Sequence, residues 1–213
     1  MIRPLVLGLV VAWSCVATSA RADDTELWLN PRASTELRNG LGLELETAQR
    51  FRAEPRQDTV YFRLWVHKQG SSGLKYSAGA EQRFNGPDER ETRLLQQVSY
   101  GWGPVDLRTR VEQRDVSSDD RWGLRARQRV GTTIPLTDDE TGWSIAVNAE
   151  AFVTARSTSV DGDTGLTGLR TFVGLERPVG RAELSVGYLR QQDIRPGRDR
   201  VAHAPFLGLN LTF

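Results

Sequence analysis

The chain ends on a segment that alternates strictly, and this pattern limits the possible folds more than any other feature. From residue 207 onwards, apolar side chains occupy every second position, namely Leu207, Leu209, Leu211 and Phe213. Successive side chains of an extended strand point to opposite faces, so this strand has one apolar face and one small or polar face. With no later segment in the sequence to cover the apolar face, the pattern predicts a strand that faces lipid and closes a membrane barrel.

The same period recurs along the chain in segments of about ten residues, separated by clusters of Gly, Pro, Asn and Asp. The segment 41–52 shows it most clearly, with Leu41, Leu43 and Leu45 on one face and charged side chains on the other. Such a series of segments is the signature of strands that cross a membrane as a barrel. The sequence therefore predicts an all-β protein, a transmembrane antiparallel up-and-down β-barrel of about 10–12 strands.

The number of strands depends on the segment 26–37, which contains Pro31. About ten alternating segments follow it between Leu41 and Phe213, and a barrel of ten strands would have both ends on the periplasmic side. Bacterial single-chain barrels normally have an even number of strands. We therefore expect the segment 26–37 to be an eleventh strand or, to keep the number even, either to enter from the periplasm as an edge or lumen piece or to hide a short strand pair.

Turn lengths and aromatic positions predict an orientation for this barrel. Short turns near residues 39, 70–73, 101–104 and 178–180 alternate with longer polar connections near 55, 87, 118, 160 and 196. Barrels of this kind keep short turns on the periplasmic side and long loops outside. The outward aromatic residues fall into two belts, Phe51, Phe62, Phe84 and Trp122 beside the long loops and Tyr76, Tyr100, Trp143 and Phe213 beside the short turns. Two belts are expected where aromatic rings meet the two membrane interfaces.

Residues 1–22 have the composition of a cleaved secretory signal peptide. Arg3 precedes an apolar run that is too short to span a membrane as a stable helix, and Ala20-Arg21-Ala22 fits a small-x-small cleavage site. This divides the chain into a signal peptide, 1–22, and an outer-membrane barrel domain, 23–213. A lipoprotein with Cys15 as its lipidated residue is the alternative, which the bulky Trp13 disfavours. Cys15 is the only cysteine, so the mature chain would have no disulfide.

Composition excludes two classes of protein. Charged residues make up 26% of the chain and hydrophobic residues 38%, which is too polar for a helical membrane protein. A barrel looks polar by composition because half of each strand faces inward. The net charge of +1 gives no reason to expect nucleic acid as a partner.

The inward faces are predicted to carry a dense network of arginine and glutamate side chains. Its members are Glu44, Glu46, Arg63, Arg83, Arg108, Arg110, Glu112, Arg125, Arg127, Arg129, Glu150, Arg170, Glu176 and Glu183. A small barrel has a narrow interior that side chains fill, and buried charges persist there only when they are paired. The favoured hypothesis is a structural barrel whose lumen this network plugs. The alternative is a narrow porin-like channel for small solutes, anions among them.

No catalytic, cofactor or metal site is predicted, and two lesser alternatives remain. Barrel lipases and deacylases resemble one another in having a His that is followed two residues later by a Ser. Here Lys68-Gln69 follows His67 and Ala204-Pro205 follows His203, so neither histidine has that Ser. A lipid-modifying enzyme is therefore not expected, and neither metal-ligand spacing nor a phosphate loop occurs. A soluble periplasmic β-sandwich or lipocalin-like binder would also alternate, although the terminal Phe213 and the two belts count against it.

Several short motifs carry a resemblance that covers nearly the whole mature chain. They are the segment around Trp28, Leu-Gly-Leu-Glu-Leu-Glu at 41–46 with Arg50-Phe51-Arg52, the arginine-rich inward strands, 172–176, 186–188 and the closing 207–213. Together they resemble a family of small Gram-negative outer-membrane barrels known as a domain of unknown function. The resemblance implies fold and location, and it brings no catalytic residues.

The ending itself resembles the C-terminal signal of outer-membrane proteins. That resemblance implies transient contact with the barrel-assembly machinery and with periplasmic chaperones, besides lasting contact with outer-membrane lipid. No cofactor is implied.

Overall fold

The alternating segments form eleven β-strands that close into a barrel in the computed structural model, which describes residues 24–53, 56–70, 73–139 and 141–213. The strands of this described part are β1 (Asp24–Glu36), β2 (Leu41–Arg52), β3 (Thr59–Gln69), β4 (Leu74–Asn85), β5 (Glu89–Trp102), β6 (Val105–Val116), β7 (Gly123–Pro135), β8 (Ser144–Arg156), β9 (Gly165–Val179), β10 (Ala182–Asp193) and β11 (Arg200–Thr212). The all-β barrel is thus confirmed, with a strand number inside the expected range. The predicted signal peptide, 1–22, lies outside the described residues.

Neighbouring strands in the chain pair antiparallel throughout, and the barrel is closed by one parallel pair. That pair joins β1 to β11, with Asp24 opposite Ala202 at one end and Ser34 opposite Thr212 at the other. An odd number of up-and-down strands makes the first and the last run in the same direction. The predicted antiparallel barrel is therefore confirmed, with this one parallel seam as the departure from antiparallel pairing.

Of the expectations for the segment 26–37, the eleventh strand is confirmed and the other two are wrong. The segment forms most of one regular strand of 13 residues, β1, rather than an edge or lumen piece from the periplasm or a pair of short strands. Glu26, Trp28 and Asn30 are buried on its inner face, so burial alternates along its first half. Because β1 is antiparallel to β2, it starts at the long-loop end of the barrel. The series of ten strands from β2 to β11 begins at the short-turn end, with the start of β2, and finishes at that same end, with the end of β11.

The barrel is apolar outside and charged inside. On β3, Phe62 and Leu64 are 51% and 53% exposed, whereas Arg63 and Trp65 between and beside them are 4% and 2% exposed. The aromatic residues of both predicted belts lie on the outer face, close to the strand ends. Polar side chains on this face are partly paired, as where Thr109 donates to Gln128 over 2.6 Å. Among the described residues no helix is long and apolar enough to cross a membrane.

Aromatic rings on the inner face lie over glycines of the same strand or of a neighbouring one. A Cβ atom added to Gly79 would be 2.6 Å from the Trp65 ring and 2.7 Å from the carbonyl oxygen of Leu64. The Phe172 ring covers Gly174 and Gly187 in the same way, at 2.5 and 2.6 Å. Glycine in mid-strand normally weakens a sheet, so its presence here marks the places where a large ring needs the space.

Replacing Gly79 by valine should therefore prevent the close contact between β3 and β4. The Leu64 carbonyl is backbone and cannot move aside, so we expect a loss of at least about 1–3 kcal/mol of stability from overpacking. The control is Ala80→Val, one residue further on the exposed outer face. The measurement is the fraction of protein that refolds in detergent to a heat-modifiable form. Equal refolding of both variants would contradict the packing argument.

Candidate functional site

A row of charged side chains crosses the inner face of the first five strands. The strand register places Arg32, Glu46, Arg63, Glu81 and Arg93 directly opposite one another, so the sign of the charge alternates at each step. The distance from Arg63 to Glu46 is 2.6 Å, that from Arg93 to Glu81 is 3.3 Å and that from Arg32 to Glu46 is 4.0 Å. Arg63 also pairs directly with Glu81. Directly opposite positions are the closest neighbours in a sheet, so opposite charges there attract most strongly.

Three further glutamates continue this row to β9. Arg93 contacts Glu91 at 2.5 Å and Glu112 at 3.9 Å, and Arg127 joins Glu112 at 2.8 Å to Glu150 at 2.5 Å. The resulting chain of ion pairs is continuous from β1 to β9, and we call it the Arg/Glu network. Its members are Arg32, Glu46, Arg63, Glu81, Arg83, Glu91, Arg93, Arg108, Arg110, Glu112, Arg114, Arg125, Arg127, Glu150 and Arg170.

The carboxylates of this network are the most deeply buried part of the lumen. The side chains of Glu81 and Glu112 are both 0% exposed. Each lies within 4.0 Å of several guanidinium groups, and the Arg127 guanidinium donates to two different glutamates. The planar guanidinium, with five donors, suits such bridging better than a lysine ammonium. Removing one partner of a buried pair leaves an uncompensated charge, which is strongly destabilising.

The structure brings most of the predicted lumen residues together but not all of them. Glu44 lies 3.7 Å from His67 instead of an arginine. Arg129, Glu176 and Glu183 form no ion pair within 4.0 Å among the described residues. The predicted set omits five members of the network, namely Arg32, Glu81, Glu91, Arg93 and Arg114. Alternating charge between opposite positions of adjacent strands is the signal that would have identified them.

The opposite wall of the lumen is apolar, which the sequence did not indicate. Trp28, Ala146, Phe172, Leu189 and Ala204 form a buried cluster on β1 and β8 to β11. Phe206 packs against this cluster, and its ring meets that of Phe172 edge to face at 5.2 Å. The lumen thus has one charged and one apolar side.

A cavity of about 760 Å³ remains between the two walls. Its lining includes Glu26 and Arg52 at the long-loop end and Lys75 and Asp106 at the short-turn end. The long-loop end is narrowed by ion pairs, since Glu26 contacts Arg52 at 3.0 Å and Arg56 at 2.7 Å. The loop between β2 and β3 therefore closes towards the start of β1.

The two histidines lie in different environments. His67 is inside, where its Nδ1 atom is 2.8 Å from the Ser77 hydroxyl on the opposite strand. Reasoning from residues adjacent in sequence missed this pair. Ser77 is 7% exposed, and it lines, together with His67, a second cavity of about 430 Å³ beside β3 and β4. His203 pairs with Tyr188 on the outer face. Among the described residues no cluster of His, Cys, Asp or Glu could hold a metal ion.

Comparison with known proteins gives two matches. The family model described as "Protein of unknown function (DUF2490)" matches residues 25–202, which run from the start of β1 to the start of β11. The chain is also 30% identical over 206 residues to an uncharacterised protein of Methylorubrum extorquens, and this similarity covers 86% of the chain and 87% of that protein. The family match includes nearly all of β1, which the sequence pattern alone offered only as a possible eleventh strand.

Replacing Glu81 by glutamine tests the energetic weight of the network. Arg63, Arg83 and Arg93 would keep their charges but lose a shared carboxylate, so we expect a loss of about 3–5 kcal/mol in the free energy of unfolding. The control is Glu36→Gln, at the exposed end of β1, where we expect a change of less than about 0.5 kcal/mol. Urea unfolding in detergent, followed by tryptophan fluorescence, measures both. A similar change in both variants would show that the network does not stabilise the barrel.

Proposed function

The chain belongs to the DUF2490 family of proteins of unknown function, and from that premise we propose that it is an outer-membrane β-barrel whose lumen is held closed by the Arg/Glu network. In this role the barrel is structural, without enzymatic activity and without a cofactor. Three features support the proposal: the apolar outer face, the order of turns and loops, and the ion pairs that cross the interior.

The outer face is the observation that carries the location. Large apolar side chains are exposed all around the closed barrel, among them Leu27, Leu64, Val130 and Val186 at 39–53% exposure. Soluble proteins rarely expose continuous apolar surfaces of this extent. Strand β3 has 11 residues, so at about 3.3 Å per residue and a tilt of about 40° it rises about 28 Å, close to the apolar band of about 25 Å in outer-membrane barrels.

The orientation follows from the connections between strands. Short turns belong at the periplasmic side and long loops outside. The chain would be exported through the signal peptide, 1–22, and Asp24 would then lie at the outer end, while Phe213 would lie at the periplasmic end. Leu207 and Leu209 are 44% and 40% exposed on the outer face of β11. Together with Leu211 they present the apolar pattern that we expect the barrel-assembly machinery and periplasmic chaperones to bind.

Closure of the lumen is supported by contacts between strands that are not neighbours. The Arg110 guanidinium on β6 lies 4.8 Å from the centre of the Trp65 ring on β3. Arg170 on β9 lies 4.8 Å from the Trp28 ring on β1. Arg108 reaches past β7 to Glu150 over 2.6 Å. These side chains bridge the interior at several heights, so they obstruct the passage of solutes.

A narrow channel is the second candidate function. The cavity of about 760 Å³ supports it, because residues from both ends of the barrel line that cavity. Arginines predominate among the charged side chains of the lining, and they would favour small anions.

The proposed location predicts the membrane fraction in which the protein is found and the contribution of the C-terminal residue Phe213 to barrel assembly. We expect heat-modifiable protein in the carbonate-resistant outer-membrane fraction. Phe213→Ser should lower the assembled amount severalfold, whereas Trp102→Ser should change it much less. Both aromatic side chains lie at the short-turn end, with nearly equal exposures of 71% and 70%, so they are matched in environment. Release of wild-type protein with the soluble periplasmic fraction would contradict the proposal.

The two candidate functions differ in conductance. In planar lipid bilayers we expect the wild-type barrel to give no resolvable single-channel steps, because the arginines bridge the lumen. Regular steps from wild-type protein would favour the channel. If the wild-type protein conducts, the variant with Arg125, Arg127 and Arg129 all replaced by alanine should have a lower preference for anions over cations than the wild type. Reversal potentials in a salt gradient would measure this preference.

A further inference from the structure

One arginine of the lumen stands apart from the Arg/Glu network. Arg50 lies on the inner face of β2, near the long-loop end, and its guanidinium is 3.8 Å from the centre of the Trp28 ring. No carboxylate lies within ion-pairing distance of it among the described residues. Its Nε atom is buried and has no hydrogen-bond partner. Arg50 thus packs against an aromatic face and makes no direct ion pair, and the Glu26 carboxylate acts on its charge only from further away.

The surroundings of Arg50 increase this imbalance. The charges that act on it most strongly are those of Arg83 and Arg170, which have the same sign. Both of these residues direct their ion pairs elsewhere, Arg83 to Glu81 at 2.9 Å and Arg170 to Glu150 at 3.7 Å. The three arginines therefore form a local concentration of positive charge.

Arg129 shows that the lack of a direct ion pair does not by itself leave an arginine without compensating charge. Its Nε atom is also buried without a partner. The carboxylates of Glu150 and Asp106 nevertheless act on the charge of Arg129, and no carboxylate is among the groups that act most strongly on Arg50. Arg50 is the better candidate for a charge that is compensated from outside the protein.

From this arrangement we propose that the lumen binds a small oxyanion at Arg50, between Arg83 and Arg170. Arg50 is half-buried, and a partly buried cation without an ion-pair partner carries a desolvation cost that a bound anion would reduce. The planar guanidinium offers two parallel donors that match a carboxylate, sulfate or phosphate group. Space is available, because all three arginines line the cavity of about 760 Å³.

The contacts of Trp28 limit the kind of ligand. Its indole nitrogen donates to Glu26 over 2.6 Å, and the guanidinium groups of Arg50 and Arg170 lie 3.8 and 4.8 Å from its ring centre. The ring is therefore already engaged by protein groups. The site recognises negative charge and offers little free apolar surface for a long hydrocarbon chain.

This binding site deepens the proposed function and rests on it only for the side from which the anion enters. Arg50 lies nearer the long-loop end, so in an outer-membrane barrel the ligand would come from outside the cell. The ion pairs of Glu26 with Arg52 and Arg56 narrow that entrance. A lumen closed to flow can still hold an anion that enters and leaves by the same end.

Thermal unfolding of the purified protein in detergent tests the site without reference to its location. Sodium sulfate, sodium phosphate and sodium acetate are each compared with sodium chloride at equal ionic strength. The proteins are wild type, Arg50→Gln and the control Arg90→Gln, whose side chain is exposed on the outer face near the same end. Sulfate also stabilises proteins in general, so the difference between variants is the quantity that counts.

We expect the Tm of wild type and Arg90→Gln to rise with the concentration of at least one oxyanion and to saturate, as binding to the folded state requires. Arg50→Gln should lose this saturable rise. In chloride alone it should unfold at the wild-type temperature or above it, because it lacks an unpaired, half-buried charge. Calorimetric titration with the same salt should show an affinity lower by about tenfold or more.

Three results would overturn the proposal. One is a wild-type protein whose Tm responds to all three oxyanions only as it responds to chloride. Another is an Arg50→Gln variant that keeps the saturable rise. The last is an Arg50→Gln variant that unfolds well below wild type in chloride, which would show that Arg50 stabilises the empty barrel. Each result holds wherever the protein is located, so failure of this site and failure of the outer-membrane proposal remain distinguishable.

Discussion

The attraction between opposite charges on adjacent strands is the interaction on which the rest of this barrel depends. It exists only in one register, because successive side chains of a strand point to opposite faces. A slip of one residue between β3 and β4 would turn Glu81 to the outer face and leave Arg63 without it. The same slip would carry Ala80 from the outer face into the lumen. The alternation that makes the outside apolar and the ion pairs that fill the inside therefore specify the same register.

Burying so many charges adds little net stability by itself, since desolvation offsets most of the attraction. The Arg/Glu network makes a wrong strand register costly. Each glutamate pairs with several arginines, so one misplaced strand would leave several buried charges without partners. The bridging of Glu112 and Glu150 by Arg127 illustrates this, because one guanidinium ties β6, β7 and β8 together. Space for these large side chains comes from glycines such as Gly79, which lies beneath the Trp65 ring.

The local pattern was enough to predict the strands and the direction of their side chains, but it could not predict which residues pair across distant strands. The alternation of β2 and β3 identifies Glu46 and Arg63 as inward residues without reference to any other strand. Their partners depend on the register across each hairpin, which explains why Glu91 and Arg93 were left out of the predicted network. The role of β1 depends on closure with β11, the contact most distant in sequence, and a single sequence carries no local signal for it.

The parallel seam shows how closure and the lumen depend on each other. Parallel pairing is slightly weaker per residue than antiparallel pairing, so β1 needs support from its side chains. Its inner face supplies that support: Trp28 belongs to the apolar cluster, and Asn30 donates to Glu46 over 3.1 Å and to the carbonyl of Thr47 over 2.8 Å. Trp28 also provides the ring against which Arg50 lies. A barrel made only of β2 to β11 would be fully antiparallel but would lack Trp28, so the eleventh strand supplies the aromatic ring against which the unpaired Arg50 lies.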